Sequence, residues 1–131
     1  MRLVLTAAIF GLAAQVAPAN AQILSESDQA FVCRAAIAEI MGRPIGIIEA
    51  ERRGDVFWTT YIRPDDGTRW TNVCRLDGDN IVWASVNDGE IGRWRTDPLD
   101  GEVIFVLDDA GVTITEEFSD GSSASDMFVR D

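Results

Sequence analysis

The sequence predicts an α+β domain in which one N-terminal helix is linked by a disulfide to a meandering antiparallel β-sheet. Three observations support this fold class. Apolar residues recur at helical spacing before Gly42, short β-rich runs alternate with turn residues after Pro44, and the two cysteines, Cys33 and Cys74, fall one in each part. A helix and a sheet that bury one face against each other form a two-layer domain.

The first residues predict a secretory signal peptide over residues 1–21. Arg2 precedes a long apolar run, and residues 19–21 read Ala-Asn-Ala, with small residues where a signal peptidase needs them. The run is shorter than the roughly 20 residues that span a bilayer, so we expect cleavage after this segment rather than a membrane anchor. The mature chain is then one domain, residues 22–131, periplasmic or secreted and not inserted in a membrane.

A single helix is predicted over residues 25–42. Ser25 and Asp28, three positions later, resemble a capping box, and Gly42 followed by Pro44 is a strong termination signal. The apolar residues between these signals form one stripe that includes Cys33, so this cysteine is expected to face the sheet. The stripe consists of Ala30, Cys33, Ile37, Ile40 and Met41.

After Pro44 the sequence predicts a series of short strands. They are rich in β-branched and aromatic residues, and Gly, Asp or Asn residues that tolerate positive φ separate them, as in antiparallel hairpins. The predicted strands cover residues 45–51, 56–63, 68–76, 80–86, 103–108, 112–118 and 127–130. Residues 89–100 are predicted to form a long structured connection, and residues 119–125 a loose hairpin loop.

The third predicted strand has two distinct faces, because side chains alternate along a strand. Trp70 lies on the same side as Cys74, and we expect this side to face the helix. Arg69, Val73 and Arg75 lie on the other side and are expected to face solvent or a partner.

A disulfide is the expected state of Cys33 and Cys74 in an oxidising compartment. It would close a loop of about 41 residues, which the chain-entropy model equates with roughly 4 kcal/mol of stabilisation. Two buried free thiols are the alternative.

The composition excludes several classes of function. Loss of Arg2 with the signal peptide leaves 10 basic residues, all arginine, against 22 acidic ones, a formal net charge of −12. Nucleic acids and anionic lipids repel such a protein. The chain has no histidine, hence no imidazole base or histidine metal ligand, and its acidic turns lack the ligand spacing of a calcium loop. We therefore expect no metal, no cofactor and no nucleic acid partner.

Arginine and tryptophan residues are the candidate binding residues. Three of them fall in the predicted connection, and loops carry function more often than the strands beside them. Both residue types dominate binding hot spots and suit an anionic or aromatic ligand, or another envelope protein. The predicted binding set is Arg69, Trp70, Arg75, Arg93, Trp94 and Arg95. In the alternative interpretation the same arginines stack on tryptophans and pair with acidic residues inside the domain.

Several motifs recur in order in a known group of proteins. They are Cys33 with residues 40–43, residues 63–68 with Trp70 and Cys74, residues 81–84, residues 92–95 with Pro98 and Asp100, and residues 118–122. On these motifs the chain resembles uncharacterised small secreted (periplasmic) proteins of alphaproteobacteria over most of its mature length. The resemblance implies export and carries over no catalytic residue. Residues 87–91 are longer here than the connection expected in that group.

Together these observations predict an exported envelope binding or interaction module without catalytic activity, such as an inhibitor-like or ligand-binding protein. One alternative is a small hydrolase that uses a carboxylate pair, because acidic residues are abundant. Another is a structural or stress-protective envelope protein. Two carboxylates with separated pKa values in a deep pocket would favour the enzyme, and a flat face rimmed by Trp and Arg would favour the binding module.

Overall fold

In the computed structural model, which describes residues 23–130, one helix packs on an antiparallel sheet of eight strands. A disulfide between Cys33 and Cys74 links the helix to the third strand, so the predicted α+β fold and its disulfide are confirmed. The predicted signal peptide, residues 1–21, lies outside the described residues. The elements are α1 (Glu26–Met41), β1 (Glu49–Arg53), β2 (Val56–Ile62), β3 (Arg69–Asp77), β4 (Asn80–Asn87), β5 (Glu90–Ile91), β6 (Glu102–Leu107), β7 (Gly111–Glu117) and β8 (Ser123–Val129).

The helix α1 begins and ends where the sequence predicts. The Ser25 hydroxyl accepts a hydrogen bond from the Asp28 N–H (3.1 Å) and caps the first turn. Gly42 adopts a left-handed conformation (φ 65°), in which its N–H reaches the carbonyl oxygens of the last turn. No helix formed by residues 23–130 is long and apolar enough to cross a membrane.

The strands follow one another across the sheet in chain order, except at β5. The order is β1-β2-β3-β4-β6-β7-β8, and β5 pairs with the end of β4. A single residue pair, Asn80 with Ile104, joins β4 to β6. The rest of this edge of β4, from Trp83 onward, is occupied by residues 90–95. The sheet thus consists of two parts, β1–β4 and β6–β8, which meet at one narrow point and leave β1 and β8 as edges.

Two predicted strands begin four residues away from the observed strands, the first too early and the last too late. Residues 45–47 form a short 3-10 helix, because Arg34 of α1 donates to the carbonyl oxygens of Ile45 (3.2 Å) and Ile48 (2.8 Å) and holds the segment against the helix. The last strand, β8, begins at Ser123 rather than at residue 127. The polar residues at the start of β8 pair in register with the last residues of β7. Thr115 and Ser125 are partners in this register, and their hydroxyls lie 2.9 Å apart.

The core lies between α1 and the face of the sheet that we call the helix face. Phe57, Phe105 and Ile114 project from this face into the main cluster of buried side chains. Cys33 and Cys74 lie in the same cluster, and neither has any exposed surface. Burial of one large apolar side chain stabilises a fold by about 1.5–3 kcal/mol, so this layer supplies most of the driving force for folding.

Replacement of both Cys33 and Cys74 by alanine should lower the free energy of unfolding by about 2–5 kcal/mol, because the unfolded chain regains freedom that a link across 41 residues removes. Urea denaturation of the variant and the wild type, each with and without reductant, measures this. Reductant should weaken the wild type and leave the variant unchanged. Equal unfolding free energies in all four samples would show that the disulfide contributes nothing.

Candidate functional site

The side chains of β1–β4 that point away from α1 form a second surface, which we call the opposite face. The strand register places Trp58, Val73 and Ala84 side by side across β2, β3 and β4. Val73 and Ala84 have no exposed surface although they point away from the helix. The prediction that this side of β3 faces solvent or a partner is therefore wrong at Val73, which lies in a small apolar layer on the opposite face.

An arginine stacks on each of the four tryptophans of the chain. A guanidinium over an aromatic ring contributes about 0.5–1 kcal/mol at exposed sites and more where water is excluded. The guanidinium carbon lies 4.4 Å from the ring centre for Arg53 on Trp58, 4.5 Å for Arg75 on Trp94, 4.5 Å for Arg95 on Trp83 and 5.0 Å for Arg63 on Trp70.

The connection after β5 runs along β4 and carries Trp94 to the opposite face. The Gly92 N–H donates to the Ser85 carbonyl (2.8 Å), and the Arg95 N–H donates to the Trp83 carbonyl (2.9 Å). Since Val86 pairs with Ile91, the connection has one residue more than β4 over this stretch, as in a β-bulge. The extra residue breaks the alternation of side chains, which is why the sequence showed no strand here.

The six predicted binding residues do not form one cluster. Arg75 and Trp94 meet on the opposite face, whereas Arg95 stacks on Trp83 of β4. Trp70 lies on the helix face, as predicted, with its ring stacked at 6.4 Å on that of Tyr61. These contacts engage four members of the set within the domain.

Arg93 is engaged as well, through a bidentate ion pair. Its two terminal nitrogens each lie 2.8 Å from an oxygen of Asp100. The hydrogen bonds from the Arg93 guanidinium are the main reason that the pKa of Asp100 is lowered to about 2. The same carboxylate accepts the Asp97 N–H (2.9 Å), so the pair closes the turn at the end of the connection.

Arg69 differs from every other arginine of residues 23–130. Within this part of the chain no ion pair, side-chain hydrogen bond or ring contact engages it, whereas each of the others has at least one. It lines an open cleft of about 390 Å³ at one end of the opposite face. The other lining residues include the ion pair of Glu51 and Arg53 (3.2 Å) together with Glu49, Trp58, Thr60, Thr71, Val86 and Asp88.

Sequence reasoning missed Trp58 and Thr60 as members of this site. Alternation along β2 places both on one side of the strand, and this signal was present in the sequence. Their position on the opposite face follows only from the pairing of Trp58 with Val73 and of Thr60 with Thr71.

Three carboxyl groups meet on the helix side of the sheet, away from the cleft. Burial, followed by hydrogen bonding to Asp126 and Glu116 and repulsion from their carboxylates, together raise the pKa of Glu39 to about 7. Burial also raises the pKa of Glu116, which the hydrogen bond to Glu39 partly offsets. Such a cluster is stable when its members share a proton, so Glu39 keeps a proton well above the pH at which an exposed Glu loses it.

Comparison of the chain with protein-family models, with curated proteins and with solved structures found no match. The resemblance to secreted proteins of alphaproteobacteria therefore stays a prediction.

The Glu39 cluster predicts that the domain loses stability as the pH rises. In the unfolded chain Glu39 titrates near 4.5, and in the folded protein near 7. Between these values the folded state holds a proton that the unfolded state has released, so the free energy of unfolding falls with rising pH. Chemical denaturation at pH 4.5, 6 and 8 measures the slope.

The variant Glu39→Gln should flatten this slope. Between pH 4.5 and pH 8 its free energy of unfolding should fall less than that of the wild type. Glu117→Gln is the matched control, because it removes the same charge from the exposed end of β7. A slope unchanged in Glu39→Gln, or equally reduced in both variants, would contradict the assignment.

Double replacement of Arg93 and Arg95 by alanine should lower the melting temperature, because it removes the ion pair to Asp100 and the stack on Trp83. Arg69→Ala is the matched control, since it removes an arginine without an internal contact among residues 23–130. Thermal unfolding followed by circular dichroism compares the three proteins. If the double variant melts like the control, these contacts do not hold the connection in place.

Proposed function

We propose that the chain is an exported envelope binding module without catalytic activity, and that its ligand occupies the cleft beside Arg69. The signal peptide pattern of residues 1–21 and the disulfide between Cys33 and Cys74 support a periplasmic or secreted location. Disulfides persist in oxidising compartments, whereas the cytosol keeps thiols reduced.

The observation that carries the proposal is the unengaged guanidinium of Arg69. Acidic residues outnumber basic ones 22 to 11 in this chain, and every other arginine of the described residues is already stacked, paired or hydrogen-bonded. A guanidinium presents a planar fork of donors that binds a carboxylate through two parallel hydrogen bonds. Arg69 therefore has this binding capacity available for a group from outside the domain.

The other lining residues define the chemistry of the ligand. The carboxylates of Glu49 and Asp88 disfavour a polyanion, and Arg69 disfavours a simple cation. The hydroxyls of Thr60 and Thr71 offer hydrogen bonds, while Trp58 and Val86 add apolar surface.

A hydroxyl-rich molecule with a single carboxylate, such as a sugar acid, satisfies all of these groups, and we propose a ligand of this class. Of the predicted binding set the proposal keeps Arg69; it assigns the other five to internal contacts.

Glucuronic acid and glucose are suitable probes, because they differ at the carboxylate. We expect glucuronic acid to shift the amide NMR signals of Thr60, Arg69 and Thr71, and glucose to shift them less at equal concentration. Arg69→Ala should abolish the difference without changing the melting temperature. Arg52→Ala, which alters an arginine on the helix face that pairs with Glu26 (3.0 Å), should retain binding.

Absence of any shift at the cleft with either probe would argue against a sugar-acid ligand. Capture of an envelope protein from periplasmic extract by the wild type and by Arg52→Ala, but not by Arg69→Ala, would assign the cleft to a protein partner instead. If no ligand distinguishes Arg69→Ala from the wild type, the cleft is not a binding site.

A carboxylate-pair hydrolase is the second candidate, and one observation favours it. Glu39, with a pKa of about 7, is suited to donate a proton at neutral pH, and Glu116 and Asp126 lie beside it. Cleavage of an oligosaccharide probe by the wild type, with loss of that activity in Glu39→Gln and not in Glu117→Gln, would favour the enzyme over the binding module.

A further inference from the structure

The two edge strands of the sheet differ in how they are protected. In β1 four of five residues are charged, and Arg52 and Arg53 form ion pairs there. In β8 one residue of seven, Asp126, is charged, and the seven-residue register with β7 has no bulge. Monomeric proteins usually protect sheet edges with charges, proline or bulges, since an unprotected edge pairs with another strand.

Alternate residues of β8 have backbone groups that point away from β7. The Phe118 N–H bonds to the Ser122 carbonyl (2.8 Å) and the Arg130 N–H to the Ala110 carbonyl (3.1 Å). Hydrogen-bonded pairs alternate along an antiparallel ladder, so the even-numbered residues of β8 between Ser122 and Arg130 bond to β7. The N–H and C=O groups of Ser123, Ser125, Met127 and Val129 point to the open edge.

The side chains beside that edge are apolar and exposed. Val106, Thr113 and Met127 lie in one row across β6, β7 and β8, on the side of the sheet away from α1. The exposed fractions are 65% for Val106, 49% for Met127 and 70% for Val129. This patch lies outside the cleft beside Arg69, so a partner that covers the patch does not depend on the proposed ligand.

We propose that β8 pairs antiparallel with β8 of a second copy of the chain, with Met127 opposite Met127. In this register each Val129 faces Ser125 of the other copy, and these residues carry the outward backbone groups of both strands. Asp126 then lies opposite Phe128 rather than opposite a second carboxylate. The apolar row continues across the junction, from Val106 of one copy to Val106 of the other.

A second copy fits because the edge is complementary to itself. A register shifted by one residue would place outward-pointing groups against groups already bonded to β7. Two neighbouring registers also keep the hydrogen bonds. The one centred on Asp126 would set two carboxylates directly opposite, which is unfavourable on paired strands, and the one centred on Phe128 would align fewer of the outward-pointing residues of β8. A single strand pair buries less than the about 800 Å² per partner of a standard interface, so the dimer is weak.

Charge adds a second property to this dimer. Without residues 1–21 each copy carries a formal net charge of −12, and the repulsion between two such chains is screened by salt. The dimer should therefore form more readily at high protein concentration and at high ionic strength, unlike an assembly held by surface ion pairs.

Sedimentation velocity of the wild type over a hundredfold range of concentration, at about 0.05 M and 0.5 M salt, tests the proposal. We expect the weight-average mass to rise with both variables. Met127→Lys should remain monomeric, because lysine protects an edge strand. Ile62→Lys is the matched control: Ile62 is also 49% exposed on the side away from α1, but it lies on β2, so this variant should dimerise at high salt.

Amide hydrogen exchange at low and high protein concentration locates the contact. Protection of Ser125, Met127 and Val129 should increase with concentration in the wild type, while the amides of Ala124, Asp126 and Phe128, already bonded to β7, should change little. A constant monomer mass, a dimer that persists in Met127→Lys, or protection that rises elsewhere and not at these three amides would overturn the proposal.

Discussion

The packing of one helix against a much wider sheet governs how every other part of the molecule is stabilised. α1 has 16 residues, and it is joined to the middle of β3 by the disulfide at a point with no exposed surface. This arrangement buries the helix face. It leaves the opposite face, the junction of β4 with β6 and both edge strands to be stabilised by other contacts.

On the opposite face, arginine and tryptophan side chains cover the sheet in place of a second layer of helices. Val73 and Ala84 are as fully buried there as residues of the core, and the stacks of Arg53 on Trp58 and of Arg75 on Trp94 flank them. A guanidinium lies flat on an aromatic ring while its edge stays hydrated. A thin layer of this kind covers a sheet without an additional helix, and it engages two of the arginines of an acidic chain. Arg69 stands apart because no such contact engages it among the described residues.

Acidic residues are placed according to their surroundings rather than spread evenly. Asp100 lies beside Arg93 and stays ionised to low pH, whereas Glu39 lies among other carboxyl groups and holds its proton to near neutrality. The same residue class thus stabilises the connection in one place and makes the helix side of the sheet sensitive to pH in another. Charge also distinguishes the two edges, since β1 is protected by ion pairs and β8 is not.

Features that depend on local chemistry, or on the single pair of cysteines, could be predicted from the amino-acid sequence. The α1 cap at Ser25, the stop at Gly42, most hairpin turns and the disulfide follow from residue types that have few alternatives. The sequence also indicated that arginines and tryptophans matter, but not which of them meet. Only the folded chain shows that Val73 is buried, that a bulge turns Trp94 onto the opposite face, that Arg93 binds Asp100 and that Arg69 has no such contact. These outcomes depend on the register between strands far apart in the chain, and a one-residue change in register moves a side chain to the other face of the sheet.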